Sequence, residues 1–159
     1  MADSNTLLLL HGDAIIDSSG KAHSITNNGV TVSTTQSKFG GKSLYFSGNA
    51  YLSITSNLFS ICNGDFTIDW WQYRQNTGTL GCFNVLNAAG FSQFLIQHGG
   101  GTKLYGSYTG SAWDVVSGAS AFTLAQNTWV HCAIVKSGNT IATYQGGVKV
   151  WSGAVSNSF

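Results

Sequence analysis

The feature that most constrains the fold of this 159-residue chain is residues 127–150, NTWVHCAIVKSGNTIATYQGGVKV. Side chains alternate between the two sides of a strand, and both sides of the first arm of this segment are largely apolar. A strand that is apolar on both sides belongs in the interior of a layered β structure. Gly138 and Gly146-Gly147 supply turns. The segment therefore predicts a β-hairpin, with Trp129, His131, Ala133 and Val135 on one face of its first arm and Val130, Cys132 and Ile134 on the other.

The composition of the chain favours the same class of structure. Twenty glycines and no proline suit many short strands joined by Gly, Ser and Asn turns. The length predicts one domain, residues 1–159, which is large enough to bury a core without disulfides. Charged residues make up 8% of the chain, and the formal net charge is +1 with the cations scattered. Nucleic acid and anionic membranes are therefore excluded as partners, and no apolar run is long enough for membrane insertion.

Residues 66–74, FTIDWWQYR, form a second informative segment. They alternate between a face with Phe66, Ile68 and Trp70, predicted to fill the core, and a face with Thr67, Asp69, Trp71 and Tyr73. Aromatic rings beside an acceptor suit a sugar, because its C–H groups stack on a ring while its hydroxyls need a polar partner. Asp69, Trp71 and Tyr73 are therefore the leading candidates for ligand binding. The alternative is a face covered by loops or by another subunit.

Four motifs in the right order resemble one family. The run Trp-x-His-x-Ala-x-Val and the later Tyr-x-x-Gly, together with LLLLHGDAIIDSSGKAH, SKFGGKSLYFSGNAYLSI and DFTIDWWQYR, resemble laminin G-like modules of the concanavalin A-like lectin/glucanase superfamily. The resemblance covers residues 7–149. It implies an all-β fold, namely an antiparallel two-sheet jelly-roll β-sandwich. It also places Asp69, Trp71 and Tyr73 on the open face that such proteins often use as a groove.

The resemblance implies a binding module that recognises carbohydrate or a cell-surface ligand, with a glycan or surface receptor as partner. Tyr105, Tyr108 and Trp113 follow in a Gly- and Ser-rich context and are predicted to form an exposed rim of the groove. The alternative for these three residues is that they are ordinary strand aromatics covering the edge of the sandwich.

The superfamily also contains glycoside hydrolases, so carboxylates need attention. A retaining hydrolase requires two carboxylates about 5 Å apart. The chain has no Glu, and Asp65 and Asp69 would lie roughly 13 Å apart on a regular strand. The sequence therefore predicts no enzyme.

Asp13 and Asp17 lie close together in predicted turns. Two such carboxylates with nearby carbonyl oxygens would be ligands for calcium, the one cofactor that the sequence suggests. The alternative is capping of the backbone by Asx turns. No Asp-x-Asp-x-Asp loop is present, and the four histidines show no ligand spacing.

The two ends of the chain favour a second function. The start, Met-Ala-Asp-Ser, carries no signal peptide, so the expected location is a virion or an extracellular surface reached by another route. At residues 155–159 the chain stops where family members continue through two further strands. We expect a domain lacking its last strands or one completed by a neighbouring chain. The alternative function is a structural subunit of a viral (phage) particle, a tail or head-decoration protein with neighbouring virion subunits or further copies as partners.

Several local predictions complete the picture. Residues 7–11 are predicted to form a buried strand, residues 43–46 and 51–54 a hairpin, and residues 57–64 a short helical connection. Residues 79–87 and 91–97 are predicted to pair, and residues 103–108 to add a strand. Phe39 and Phe46 are assigned to the core. Cys62, Cys82 and Cys132 show neither disulfide nor zinc spacing and are predicted to be buried free thiols.

Overall fold

The computed structural model describes residues 2–56, 64–76, 78–98, 101–107 and 109–155. Within these ranges the regular secondary structure consists of β-strands, which pair antiparallel. The predicted all-β class is confirmed. In the described ranges there is no helix with the length and apolarity to cross a membrane. The chain divides into two compact units, Met1–Phe59 and Ser60–Phe159, and the assignment of residues 1–159 to one domain stays a prediction.

The first unit contains two separate pairs of three-residue strands. β1 (Thr26–Asn28) pairs with β4 (Tyr51–Ser53), and β2 (Thr31–Ser33) pairs with β3 (Ser43–Tyr45). The prediction that residues 43–46 pair with residues 51–54 in a hairpin is therefore wrong, although both segments form strands. The cause is the turn between β1 and β2. The Asn27 amide bonds the N–H and the C=O of Val30 at 2.8 and 2.9 Å, and this turn leads β2 to a partner of its own.

Two further predictions for the first unit are wrong. Residues 7–11 belong to no β-ladder of the described chain, because the backbone groups of Leu9 bond Asp17 Oδ1 and Ser18 N–H instead. Phe39 and Phe46 are 66% and 52% exposed. Three-residue strands offer too little surface to cover such rings. Among the residues described in this unit, Val30 is the one apolar residue that is buried.

The second unit contains two four-stranded sheets. One has the order β12-β11-β10-β5, and the other has β6, β7, β8 and β9 in chain order. The strands are β5 (Phe66–Tyr73), β6 (Leu80–Leu86), β7 (Ser92–His98), β8 (Thr102–Gly106), β9 (Val116–Phe122), β10 (Trp129–Ser137), β11 (Thr140–Gln145) and β12 (Val148–Ala154). The predicted hairpin is confirmed as β10 and β11, with β10 in the interior of its sheet. The predicted pairing of β6 with β7 is confirmed too, as is a strand within residues 103–108.

The inner faces of the two sheets share one core. Fully buried side chains come from both sheets, Phe94, Ile96 and Leu104 from one and Cys132, Ile134 and Ile141 from the other. The ring of Trp70 meets Phe122 edge to face at 5.6 Å. Fully burying a side chain such as Phe94 or Ile134 stabilises the fold by about 1.5–3 kcal/mol. This arrangement confirms the β-sandwich that the resemblance implied.

The cysteines differ in their surroundings. Cys132 is buried as predicted, and burial, with a smaller effect from Cys82, raises the pKa of its thiol to about 12. Cys82 is free, and the residue is exposed where β6 slips register between Gly81 and Phe83, so the prediction of a buried residue is wrong. Its thiol is nevertheless surrounded by protein, which raises its pKa to about 12. Cys62 and residues 57–63 of the predicted helical connection at residues 57–64 lie outside the described residues.

Candidate functional site

The register of β5 and β10 brings the candidate residues of β5 beside aromatic residues of β10. Opposite each other stand Asp69 and Ala133, Trp71 and His131, and Tyr73 and Trp129. Their neighbours Ile68 and Trp70 pack against the core, so these pairs lie on the outer face of the sheet. The structure thus places all three predicted residues on one face. We call Asp69, Trp71, Tyr73, Trp129 and His131 the aromatic face.

Close side-chain contacts order the aromatic face. The rings of Trp71 and His131 lie 5.1 Å apart with a tilt of 36°, and those of Tyr73 and Trp129 lie 5.6 Å apart. His131 Nε2 is 3.2 Å from Asp69 Oδ2. Ring pairs of this kind are worth about 0.5–1.5 kcal/mol each, whereas an exposed ion pair adds little. Trp71 is 40% exposed and the Asp69 side chain 64%, so an indole and a carboxylate are accessible side by side.

The predicted rim residues lie elsewhere. Tyr105 alternates with the buried Leu104 on β8 and therefore projects from the outer face of the other sheet, where its ring lies 5.0 Å from Trp113. Because the inner faces of the two sheets meet in one core, Tyr105 and Trp113 are on the opposite side of the sandwich from Trp71. The structure therefore does not bring Tyr105 and Trp113 together with Trp71 around one groove. Tyr108 lies outside the described residues.

Asp17 caps backbone groups. This is the role that the sequence suggested as the alternative to a calcium site. Its Oδ1 accepts the N–H groups of Leu9 and Ser19 at 3.0 and 2.8 Å, and its Oδ2 accepts the Ser19 hydroxyl and the His23 N–H, both at 2.8 Å. Burial by itself raises the pKa of Asp17, but these donors outweigh it and hold that pKa well below its usual range. Asp13 is exposed, and no three His, Cys, Asp or Glu side chains of the described chain are grouped to hold a metal ion.

Two members of the aromatic face were not predicted as ligand-binding residues. Alternation places Trp129 and His131 on one face of the hairpin, but it does not say which strand lies beside them. The signal in the sequence that could have identified them is a pair of matching patterns, Trp71-x-Tyr73 and Trp129-x-His131. Two such segments stack when their strands pair in this register.

The sequence comparison decides the family. A laminin G-type family model, described as the concanavalin A-like lectin/glucanases superfamily, matches residues 46–159. The chain belongs to this superfamily. The match confirms the resemblance of the motifs at residues 65–74 and 129–147 of this laminin G-like chain. The motif at residues 7–23 precedes the match, as do residues 37–45 of the motif at 37–54, and the resemblance of these parts stays a prediction. Searches of curated proteins and of solved structures found no match.

Membership in this superfamily indicates a binding module, because laminin G-like domains are generally non-catalytic. The two acidic residues considered for hydrolysis make separate structural contacts. Asp65 Oδ1 accepts the Gly138 N–H at 2.7 Å in the β10–β11 turn, and Asp69 contacts His131. In the laminin G-like chain these carboxylates therefore support the hairpin and the aromatic face.

Proposed function

We propose that this laminin G-like module binds carbohydrate without catalysis, through the aromatic face. The observation that carries the proposal is the accessible indole of Trp71 next to the accessible carboxylate of Asp69. The C–H groups of a sugar ring stack on an indole, and its hydroxyls donate to a carboxylate. One side chain of each kind within one strand supplies both contacts.

His131 supports this function by holding both groups in place. Its ring lies against Trp71, and its Nε2 contacts Asp69. Side chains that are already ordered lose less conformational entropy when a ligand binds. Tyr73 and Trp129 extend the surface along the strands. Since residues two apart on a strand are separated by roughly 7 Å, a ligand longer than one sugar ring would contact both Trp71 and Tyr73.

A second candidate function is assembly, as a structural subunit of a viral particle or as a homo-oligomer at a virion or extracellular surface. The observation that favours it is β12, one of the two edge strands of its sheet among the described strands, where Val148 and Val150 are exposed. An exposed edge with apolar side chains is a template for pairing with another chain.

The first prediction concerns Trp71. We expect Trp71→Ala to weaken glycan binding at least tenfold, because the substitution removes the stacking surface, and a loss of about 1.4 kcal/mol corresponds to a factor of ten. A glycan array identifies the ligand, and titration calorimetry measures the affinity. Tyr45→Ala, an exposed strand aromatic in the first unit, is the matched control and should leave the affinity unchanged.

Equal affinity of the Trp71→Ala and wild-type proteins would refute the assignment of this face. A wild-type protein that binds no glycan and forms a defined oligomer by light scattering would favour assembly instead. In that case Val148→Lys should dissociate the oligomer, because a charge on an edge strand opposes pairing.

A further inference from the structure

We propose a second ligand site, for a single neutral sugar or similar polyol, on the side of the sandwich opposite the aromatic face. It is a cavity of about 270 Å³ beside the loop between β8 and β9, lined by Ser92, Ser107, Gly110, Ser111, Ala112 and Trp113. This site is separate from the proposed function of the aromatic face, and either can exist without the other.

The walls of the cavity are held in place by Asn87, in the turn between β6 and β7. Its Oδ1 accepts the N–H groups of Ala89 and Phe91 at 3.0 and 2.9 Å, and its Nδ2 donates to the Thr109 carbonyl at 3.3 Å. Gly110 packs so closely against this turn that a Cβ there would lie 2.8 Å from Asn87 Nδ2 and from Phe91 Cβ. The cavity is thus formed before a ligand arrives, which lowers the entropic cost of binding.

The polar wall is suited to the oxygen atoms of a neutral ligand. Ser107 lines the cavity but is only 1% exposed, and its Oγ accepts the Gly110 N–H at 2.8 Å. A hydroxyl that accepts one bond still has its own proton to donate. Ser92 adds a second hydroxyl to the lining, and none of the lining residues is charged. These features favour a ligand with several hydroxyls and no formal charge.

The apolar wall is the indole of Trp113. Tyr105 supports it at a ring distance of 5.0 Å, and Tyr105 in turn lies over Gly118, where a Cβ would be 3.4 Å from its Cε1. Trp113 keeps 37% of its surface exposed and is therefore available for stacking. Small-molecule pockets usually measure about 300–1,000 Å³. At about 270 Å³ this cavity is slightly smaller, so it suits one ring rather than a chain of sugars.

The test is saturation-transfer-difference NMR on the full chain with a panel of neutral methyl monosaccharides, combined with the indole N–H signals of the five tryptophans. We expect at least one sugar to receive saturation and to shift the Trp113 indole signal. Trp113→Ala should abolish this transfer, and Ser107→Ala should weaken it about tenfold, the effect of roughly 1.4 kcal/mol. Ser120→Ala, on β9 of the same sheet, is the matched serine control and should retain it.

Trp71→Ala separates the two sites, because it removes the aromatic face and leaves the cavity intact. Saturation transfer that persists in the Trp71→Ala variant and disappears in the Trp113→Ala variant supports the cavity as a ligand site. Transfer that disappears in Trp71→Ala and survives Trp113→Ala overturns it, as does an unshifted Trp113 signal with every sugar of the panel. Circular dichroism checks the fold of each variant, and if Trp113→Ala unfolds, Ser107→Ala decides the question.

Discussion

At the scale of single residues, one carboxylate organises much of the start of the chain. Asp17 binds donors from Leu9, Ser19 and His23, although most of the apolar residues described in the first unit are not buried. Hydrogen bonds to a charged group contribute about 1.5–3 kcal/mol each when they are well made. In the first unit, hydrogen bonds to a buried carboxylate therefore hold chain segments together, whereas in the second unit a hydrophobic core does so.

We expect Asp17→Ala to lower the free energy of unfolding by about 3 kcal/mol, because it leaves several backbone N–H groups without an acceptor. Urea denaturation measures the change. Asp13→Ala, which removes an exposed carboxylate, should change stability by less than about 0.5 kcal/mol. Equal losses in the two variants would contradict the capping role. A melting temperature that rises on addition of calcium would point back to a metal site.

At the scale of strands, glycine sets the geometry of two successive hairpins. In the β11–β12 turn both central residues have positive φ, +58° at Gly146 and +82° at Gly147, as a type I′ turn requires. In the β10–β11 turn Gly138 has a φ of +53°, whereas Asn139 is not in the positive region. These turns fix the register that places Tyr144 opposite Ala133 on the outer face.

Gly147→Ala should therefore destabilise the protein by about 1 kcal/mol, since a Cβ is strained in the left-handed region. Gly146→Asn is the control, because Asn adopts this region readily, and its effect should stay below about 0.5 kcal/mol. Chemical denaturation of both variants gives the comparison. If Gly147→Ala were as stable as the wild type, the turn would not determine the pairing of β12.

At the scale of the whole molecule, a buried histidine couples stability to pH. His98 lies in the second unit with its Nδ1 2.9 Å from Thr102 Oγ1. Burial, together with the charge of Arg74, lowers its pKa from 6.5 to about 4. Between these two values the unfolded chain binds a proton that the folded chain does not. Stability is therefore complete above about pH 6.5 and falls as the pH decreases through this window.

The expected loss between about pH 6.5 and about pH 4 is on the order of 3 kcal/mol, which urea denaturation at a series of pH values would measure. His98→Gln has no proton to gain and should flatten the profile in this window. Asp17, whose pKa is lowered, contributes a further loss only near and below its ordinary pKa of 3.8. A wild-type profile that is level between these limits would contradict the burial of a neutral His98.

How far the sequence predicts this molecule depends on whether a pattern is local. β5 and β10 follow from uninterrupted alternation, and Trp71 was found with them. β9 was missed because VSGASAF is rich in small residues and Gly118 has a positive φ of +64°. The strand partners at residues 43–54 and the side of the sandwich that carries Trp113 depend on contacts between distant segments, which periodicity does not contain.

The placement of Trp71 and Trp113 on opposite sides of one core has a consequence for how such a module would be used. Two binding surfaces that face away from each other cannot hold the same small molecule, but they can be occupied at the same time. A chain anchored on a surface through one side would still offer its other side to solution. It would act as a bridge. Its affinity for two linked ligands would exceed its affinity for either one, because the second contact forms at a high effective concentration.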